Sequence, residues 1–260
     1  MTEETLLYQV ENQTATFIIN REAQRNSING DVIDRFNRYL DQAEADPDIR
    51  VIVITGKGEK AFCSGADLGN MKSGKSVSSP GNPISGYANL LKRISKCPKP
   101  TVARVNGHCL AGGMGFMLAC DIVIAREDVM FGTPEVNVGL FPMMIGALIF
   151  RNALRKKAME MILLGERISA KEALDMGLVT RIYPPSFFEE AVSKIVDTLK
   201  GKSPIGIKIG KEAFFAMAAM PLEEALDYLS SKLLEVASTE DATIGLTAFL
   251  EKRKPAFIGR

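Results

Sequence analysis

Histidine occurs once in these 260 residues, at position 108, and the four cysteines, Cys63, Cys97, Cys109 and Cys120, form no C-x-x-C pair. A histidine-ligated metal site therefore lacks its ligands, and a structural zinc site lacks its spaced thiols. A dyad between the adjacent His108 and Cys109 fails too, because neighbouring side chains of extended chain point to opposite faces. His108 is expected to line or pack a site without catalysing, and the thiols to be reduced and mostly buried. An excess of one charge is missing as well: 32 Lys and Arg stand against 31 Asp and Glu, interspersed, for a formal net charge of +1. That leaves no basic face for nucleic acid and no polybasic tract for a membrane. No apolar run approaches the roughly 18 residues that span a bilayer, and Met1-Thr-Glu-Glu lacks the cationic start and apolar run of a signal peptide. The expectation is a cytoplasmic protein acting on a small molecule. No repeat of fixed period appears, which argues against a solenoid of units copied in sequence.

What is present can fill a large core. Hydrophobic residues make up 46% of the chain, enough for one globular domain with a helical appendage. Leu6 to Val10 and Thr14 to Ile19 read as strands joined by a polar hairpin loop. Asp31 to Ala45 carries Val32, Ile33, Phe36, Leu40 and Ala43 near helical spacing, and Val51 to Thr55 is a continuous apolar strand of the doubly covered kind. Ile84 to Ser95 reads as a helix running into Pro98 and Pro100, and Thr101 to Val105 as a buried strand. Ile122 to Ala125 and Leu178 to Ile182 read as further strands, and most of the chain from Ile145 onward as helix. Strands alternating with helices give an α/β architecture with crossover connections.

Val105 to Asp121, V-N-G-H-C-L-A-G-G-M-G-F-M-L-A-C-D, is the organising stretch. Gly112, Gly113 and Gly115 open an apolar segment, Phe116 to Cys120, suited to a buried helix. A glycine turn feeding a helix leaves backbone N–H groups free where the helix dipole favours negative charge, so an oxygen becoming anionic is held well there. Tight packing of strand on helix explains the same glycines, and the stretch alone leaves both readings open.

A second turn, Ser64-Gly65-Ala66-Asp67, also lies beyond a strand, where α/β folds place ligands. Taken with E-K-A-F-C-S-G-A-D-L, Phe131-Gly132-Thr133-Pro134-Glu135 and G-E-R-I-S-A-K-E-A-L-D-M-G-L-V, it resembles the crotonase (enoyl-CoA hydratase/isomerase) superfamily over nearly the whole chain. The resemblance implies a β-β-α spiral core over residues 1–200, which binds acyl-CoA, and a helical oligomerisation region over 201–260. It further implies a homotrimer or dimer of trimers and an acyl-CoA thioester whose coenzyme A is part of the substrate, with no separate cofactor. Carried over by position, the N–H groups of Ala66 and Gly112 would form an oxyanion hole. Ala66, Asp67, Leu68 and Gly69 would lie along the pantetheine and nucleotide arm, and Lys254 and Phe257 would hold the coenzyme A of their own or a neighbouring subunit.

Hydratases of this family usually present two glutamates. Here the first position aligns with Gly115, which carries no side chain, and Glu135 stands at the second. Val136, Val138, Leu140, Phe141, Met143, Met144 and Ile145 are expected to desolvate Glu135 and raise its pKa. Met143-Met144-Ile145 also replaces glycines that leave room for water in hydratases. A single carboxylate in a dry site suits isomerisation of a double bond. Hydration by Glu135 without the second glutamate, possibly of a cyclic or unusual acyl group, and non-catalytic binding of acyl-CoA stand as alternatives. Asn137 is a nearby polar candidate for a second proton. Gly69 to Ser76, G-N-M-K-S-G-K-S, matches the phosphate loop formally, but the helix-hostile stretch from Val77 to Pro83 follows it and argues against nucleotide hydrolysis.

Overall fold

Two residues of left-handed backbone, Asn12 (φ 47°) and Gln13 (φ 64°), turn strand β1 (Leu6–Glu11) back antiparallel onto β2 (Thr14–Ile19). The computed structural model of the chain describes residues 4–67 and 83–260. In β2 alternate residues, Ala15, Phe17 and Ile19, are buried, the signature of a sheet with one face on the core. Helix α1 (Gly30–Ala45) begins where the Asn29 side chain accepts a hydrogen bond from Val32 N, and its buried stripe runs from Val32 to Ala43. Strand β3 (Val51–Gly56) is buried at every residue. One of its faces meets the main core; on the other, Val51 and Val53 join Val102, Ile124, Phe188, Val192 and Val196 in a second apolar layer.

From β3 onward the chain winds as a spiral, each turn laying one strand in each of two sheets. Strand β3 is followed by β4 (Ala61–Cys63) and α2 (Pro83–Lys96). Strand β5 (Thr101–Val105) leads to β6 (His108–Leu110) and α3 (Gly112–Ala119). Strand β7 (Ile122–Arg126) leads to β8 (Met130–Gly132), a 3-10 turn (Pro134–Val138) and α4 (Met143–Asn152). Helix α5 (Arg155–Leu164), β9 (Arg167–Ser169), α6 (Ala170–Asp175), β10 (Arg181–Tyr183) and α7 (Pro185–Lys200) complete the core, and α8 (Pro204–Met217), α9 (Leu222–Ala237) and α10 (Glu240–Leu250) follow. The six-stranded sheet has the order β1-β2-β3-β5-β7-β10, and the four-stranded sheet β4-β6-β8-β9. Because the turns begin at Val51, Thr101 and Ile122, their unequal lengths hide the spiral from any search for a fixed period.

The main core sits between sheets and helices, with the Phe36 and Phe116 rings stacked at 4.9 Å and Tyr87 edge-on to Phe116 at 5.4 Å. All four cysteines are buried free thiols. Two local expectations change. Leu178 and Val179 are buried but not in a strand: both N–H groups donate to the Ala173 carbonyl, at 2.9 and 3.3 Å, closing α6, so β10 starts only at Arg181. The glycine helix starts at Gly112 rather than Phe116, which places all three glycines inside it. Among the described residues no helix is long and apolar enough to cross a membrane.

Candidate functional site

Strands β4, β6 and β8 lie side by side and parallel, with Cys63 opposite Cys109, and Leu110 opposite Gly132. Their carboxyl ends therefore deliver Ser64 to Asp67, Ala111 to Gly112 and Thr133 to Glu135 to one edge of the sheet.

The first of these turns is fixed from beneath by the loop before α1. Ser64 N donates to Arg25 O (3.1 Å), Ile28 N to Gly65 O (2.8 Å) and Asp67 N to Ile28 O (2.9 Å). Buried Asn26 holds the loop by donating to Ala61 O (2.6 Å) and Lys57 O (3.0 Å). The Arg21 guanidinium reaches Ser27 O (2.6 Å), Ser27 Oγ (2.8 Å) and the Asp67 carboxylate (2.8 Å). The residues on both sides of Ala66 are thus tied down, while its own N–H makes no hydrogen bond among the described residues. Gly112 is the first residue of α3, so its N–H has no acceptor within the helix.

These two N–H groups are brought together by glycine. A methyl on Gly65 (φ +93°) would stand 2.6 Å from Ala111 Cβ and 3.0 Å from Gly112 N. One on Gly113 would stand 2.3 Å from Cys63 O, so α3 could not approach the end of β4. The point where Gly112 would carry a Cβ lies 3.6 Å from Ala66 N. Ala111 holds φ 50° and ψ −133°, a strained conformation for a residue with a side chain, and its N–H donates to Gly132 O at 2.8 Å. That bond ties the second turn to the segment carrying Glu135.

Glu135 sits in the first turn of the 3-10 segment, half-buried, and among the described residues neither its buried Oε2 nor the buried Thr133 Oγ1, two residues before, has a hydrogen-bond partner. Burial pushes the Glu135 carboxyl above the usual glutamate range, partly offset by its own backbone N–H. The surrounding apolar shell differs from expectation. Val138, Leu140 and Phe141 are exposed and Met143 is 75% exposed, so of that stretch only Val136, Met144 and Ile145 are withdrawn from solvent. A 3-10 turn closed at Gly139 swings Val138 to Phe141 outward.

One family accounts for this arrangement. Residues 9–260 match the family described as enoyl-CoA hydratase/isomerase. The chain belongs to that family. It is 34% identical over 245 residues to a putative enoyl-CoA hydratase of Thermus thermophilus, covering 94% of this chain and 96% of the relative. It is 36% identical over 220 residues to a carnitinyl-CoA dehydratase of Salmonella typhi, covering 83% and 84%. The crystal structure of an enoyl-CoA hydratase from Bacillus anthracis superposes with a TM-score of 0.92 at 31% identity, covering 98% of this chain and all of that one. The crotonase fold expected from the motifs is therefore present.

Other expected site residues of this family member fall elsewhere. Lys254 lines a surface hollow with Glu190, Lys194 and Asp197 of α7, and Phe257 packs on Gly245 while its carbonyl accepts from Arg50 (3.4 Å), at the amino end of β3. Within one chain, then, neither joins the edge that holds Ala66, Gly112 and Glu135. Leu68, Gly69 and the segment resembling a phosphate loop lie outside the described residues. His108 Nδ1 accepts from Met130 N (3.0 Å), and burial, with Arg167 nearby, lowers its pKa, so it packs as a neutral ring. The Asn137 amide donates to Gly165 O (3.1 Å) and is spent on that corner.

Sequence reasoning missed one residue. A methyl on Gly115 would stand 2.2 Å from Tyr87 Oη, 2.8 Å from Ile145 Cγ2 and 3.2 Å from Leu91 Cδ1. Tyr87, buried in the core, donates its hydroxyl hydrogen bond to Gly112 O. The signal for it was a tyrosine on the otherwise apolar stripe Tyr87, Leu90, Leu91 and Ile94, where a buried hydroxyl must find an acceptor.

Proposed function

We propose that this member of the enoyl-CoA hydratase/isomerase family shifts a double bond in an enoyl-CoA thioester, from the 3,4 to the 2,3 position, with Glu135 as its single acid/base. The Glu135 carboxylate takes a proton from C2, and the C–H electron pair passes into a dienolate whose negative charge rests largely on the thioester oxygen. The N–H groups of Ala66 and Gly112 stabilise that oxygen, each by on the order of 3 kcal/mol in such sites. The Glu135 carboxylic acid then returns the proton at C4, so no atom is gained or lost. A carboxyl group kept partly out of water, with a raised pKa, suits both halves of the transfer.

The observation that carries this reading is Gly115. It supplies no side chain, Tyr87 and Ile145 fill the space where one would point, and among the described residues Glu135 is the carboxylate of the edge not held in an ion pair, since Asp67 is paired with Arg21. Glu135→Gln should abolish turnover of enoyl-CoA while sparing affinity for a CoA thioester; unchanged turnover would remove Glu135 as the base. Hydration or dehydration is the second reading, favoured by the names of the Thermus and Salmonella relatives. Faster formation of 3-hydroxyacyl-CoA from a 2-enoyl-CoA than isomerisation of a 3-enoyl-CoA would favour it. Thioester binding without turnover would mark a non-catalytic acyl-CoA binder.

The acyl-CoA arm is proposed to run along Ala66, Asp67, Leu68 and Gly69. Since the Asp67 carboxylate is paired with Arg21, its backbone rather than its charge would face the substrate. Helices α8 to α10, within residues 201–260, leave Phe214, Leu222, Leu233, Leu234, Phe249 and Leu250 exposed in the single chain. An apolar surface of that kind favours subunit contact, so a homotrimer or dimer of trimers is proposed, with Lys254 and Phe257 reaching a neighbour's coenzyme A.

A further inference from the structure

We propose that Tyr87 determines the reaction specificity of this site: its hydroxyl, seated against Gly115 and bonded to the Gly112 carbonyl, fills the place from which an attacking water would work. This rests on the single-carboxylate reading above and names the residue that enforces it.

Gly115 and Tyr87 are a matched pair. Any side chain at 115 would begin 2.2 Å from the hydroxyl oxygen, so the tyrosine fits only because the helix carries glycine there. The phenol has little freedom to leave: Tyr87 is 6% exposed, its ring lies edge-on to Phe116 at an interplanar angle of 84°, and its hydroxyl is bound to the first turn of α3. It is also a poor proton shuttle, since burial and the nearby Cys63, Cys109 and Glu135 push its pKa well above the usual phenol value. It stays neutral and acts by occupancy. A buried water needs room for itself and two to four polar partners. The Gly112 carbonyl, in the same first turn of α3 as the Gly112 N–H, gives Tyr87 the lone pair left over from its helical hydrogen bond, and Ile145 walls the other side. Removing the hydroxyl would free that lone pair and open an oxygen-sized space beside Gly115, one helical turn from the thioester oxygen's donor.

The test compares wild type, Tyr87→Phe and Tyr87→Ala on a short-chain 3-enoyl-CoA and on its 2-enoyl isomer. The quantity read is the ratio of the hydration rate to the isomerisation rate, by mass of the products, alongside thioester affinity and unfolding midpoint. The ratio should rise at least about tenfold in Tyr87→Phe and further in Tyr87→Ala. A tyrosine that served only the core would lower both rates together and leave the ratio unchanged. A ratio within about twofold of wild type in folded Tyr87→Phe overturns the proposal. If Tyr87→Ala does not fold, Tyr87→Phe still decides. The parent reading fails differently: through a wild type that hydrates faster than it isomerises, or a Glu135→Gln enzyme that still turns over. The shift on substituting Tyr87 is read independently of either.

Discussion

Replacing Gly65 with alanine perturbs the close approach of the two turns with a single methyl. That methyl would meet Ala111 Cβ at 2.6 Å, Gly112 N at 3.0 Å and Leu110 O at 3.4 Å. Backbone and a short side chain surround it, so no flexible chain end can give way. Holding alanine at φ +93° costs about 1–3 kcal/mol. Overpacking adds about 1–3 kcal/mol. The sum, about 2–6 kcal/mol, is a large part of the roughly 5–15 kcal/mol by which a domain is stable. Relief requires the turns to separate, which would withdraw Ala66 N or Gly112 N from the thioester oxygen they are proposed to share. Loss of one such donor costs on the order of 10²–10³ in kcat. Urea unfolding gives the first quantity and turnover of an enoyl-CoA the second. Gly65→Ala should move the midpoint down and cut kcat far more than affinity. An unchanged midpoint together with kcat within about threefold of wild type would refute the reasoning.

Ala111→Gly should do the opposite. Removing a Cβ from φ 50° relieves about 1–3 kcal/mol of strain against an entropic cost of about 0.5–1 kcal/mol, so the variant should be as stable as wild type or more so, and a clear loss in a urea melt would contradict the strain. Glu135 links activity and stability to pH with opposite signs. As the proposed base it must be ionised to take a proton, so kcat/KM should fall on the acid side at a pH above the usual glutamate value. Its folded pKa is raised, so its contribution to stability is intact below the unfolded pKa and lost as pH rises through the folded one. Glu135→Gln should therefore melt higher than wild type at neutral pH, with the gap closing in acid. A constant gap across the series would contradict burial of the charged form.

Much of the fold was legible because long elements carry long patterns. The α1 stripe and the continuous burial of β3 appear directly in the sequence. Strands β4, β6, β8 and β9 were not visible, since three residues hold no period, and their pairing depends on partners many residues away. Leu178 and Val179 misled for a related reason: apolar and β-branched residues mark burial, but the Ala173 carbonyl had already claimed their N–H groups. At the site, Gly65, Gly112 and Glu135 announce themselves through turn chemistry and motif. Tyr87 does not, because nothing local connects it to Gly115, which lies 28 residues on in another helix. The outward turn of Met143 was equally hidden, set by the left-handed Gly139 that closes the preceding 3-10 turn.

The most direct measurement offers a 3-enoyl-CoA and, separately, its 2-enoyl isomer in water enriched in oxygen-18 and follows product mass from the first turnovers. A lone carboxylate that carries a proton between two carbons yields the 2-enoyl isomer with no heavy oxygen. Labelled 3-hydroxyacyl-CoA formed from the 2-enoyl-CoA faster than the 3-enoyl-CoA is isomerised would mean that water reaches the reacting carbon, and would contradict isomerisation by a lone carboxylate.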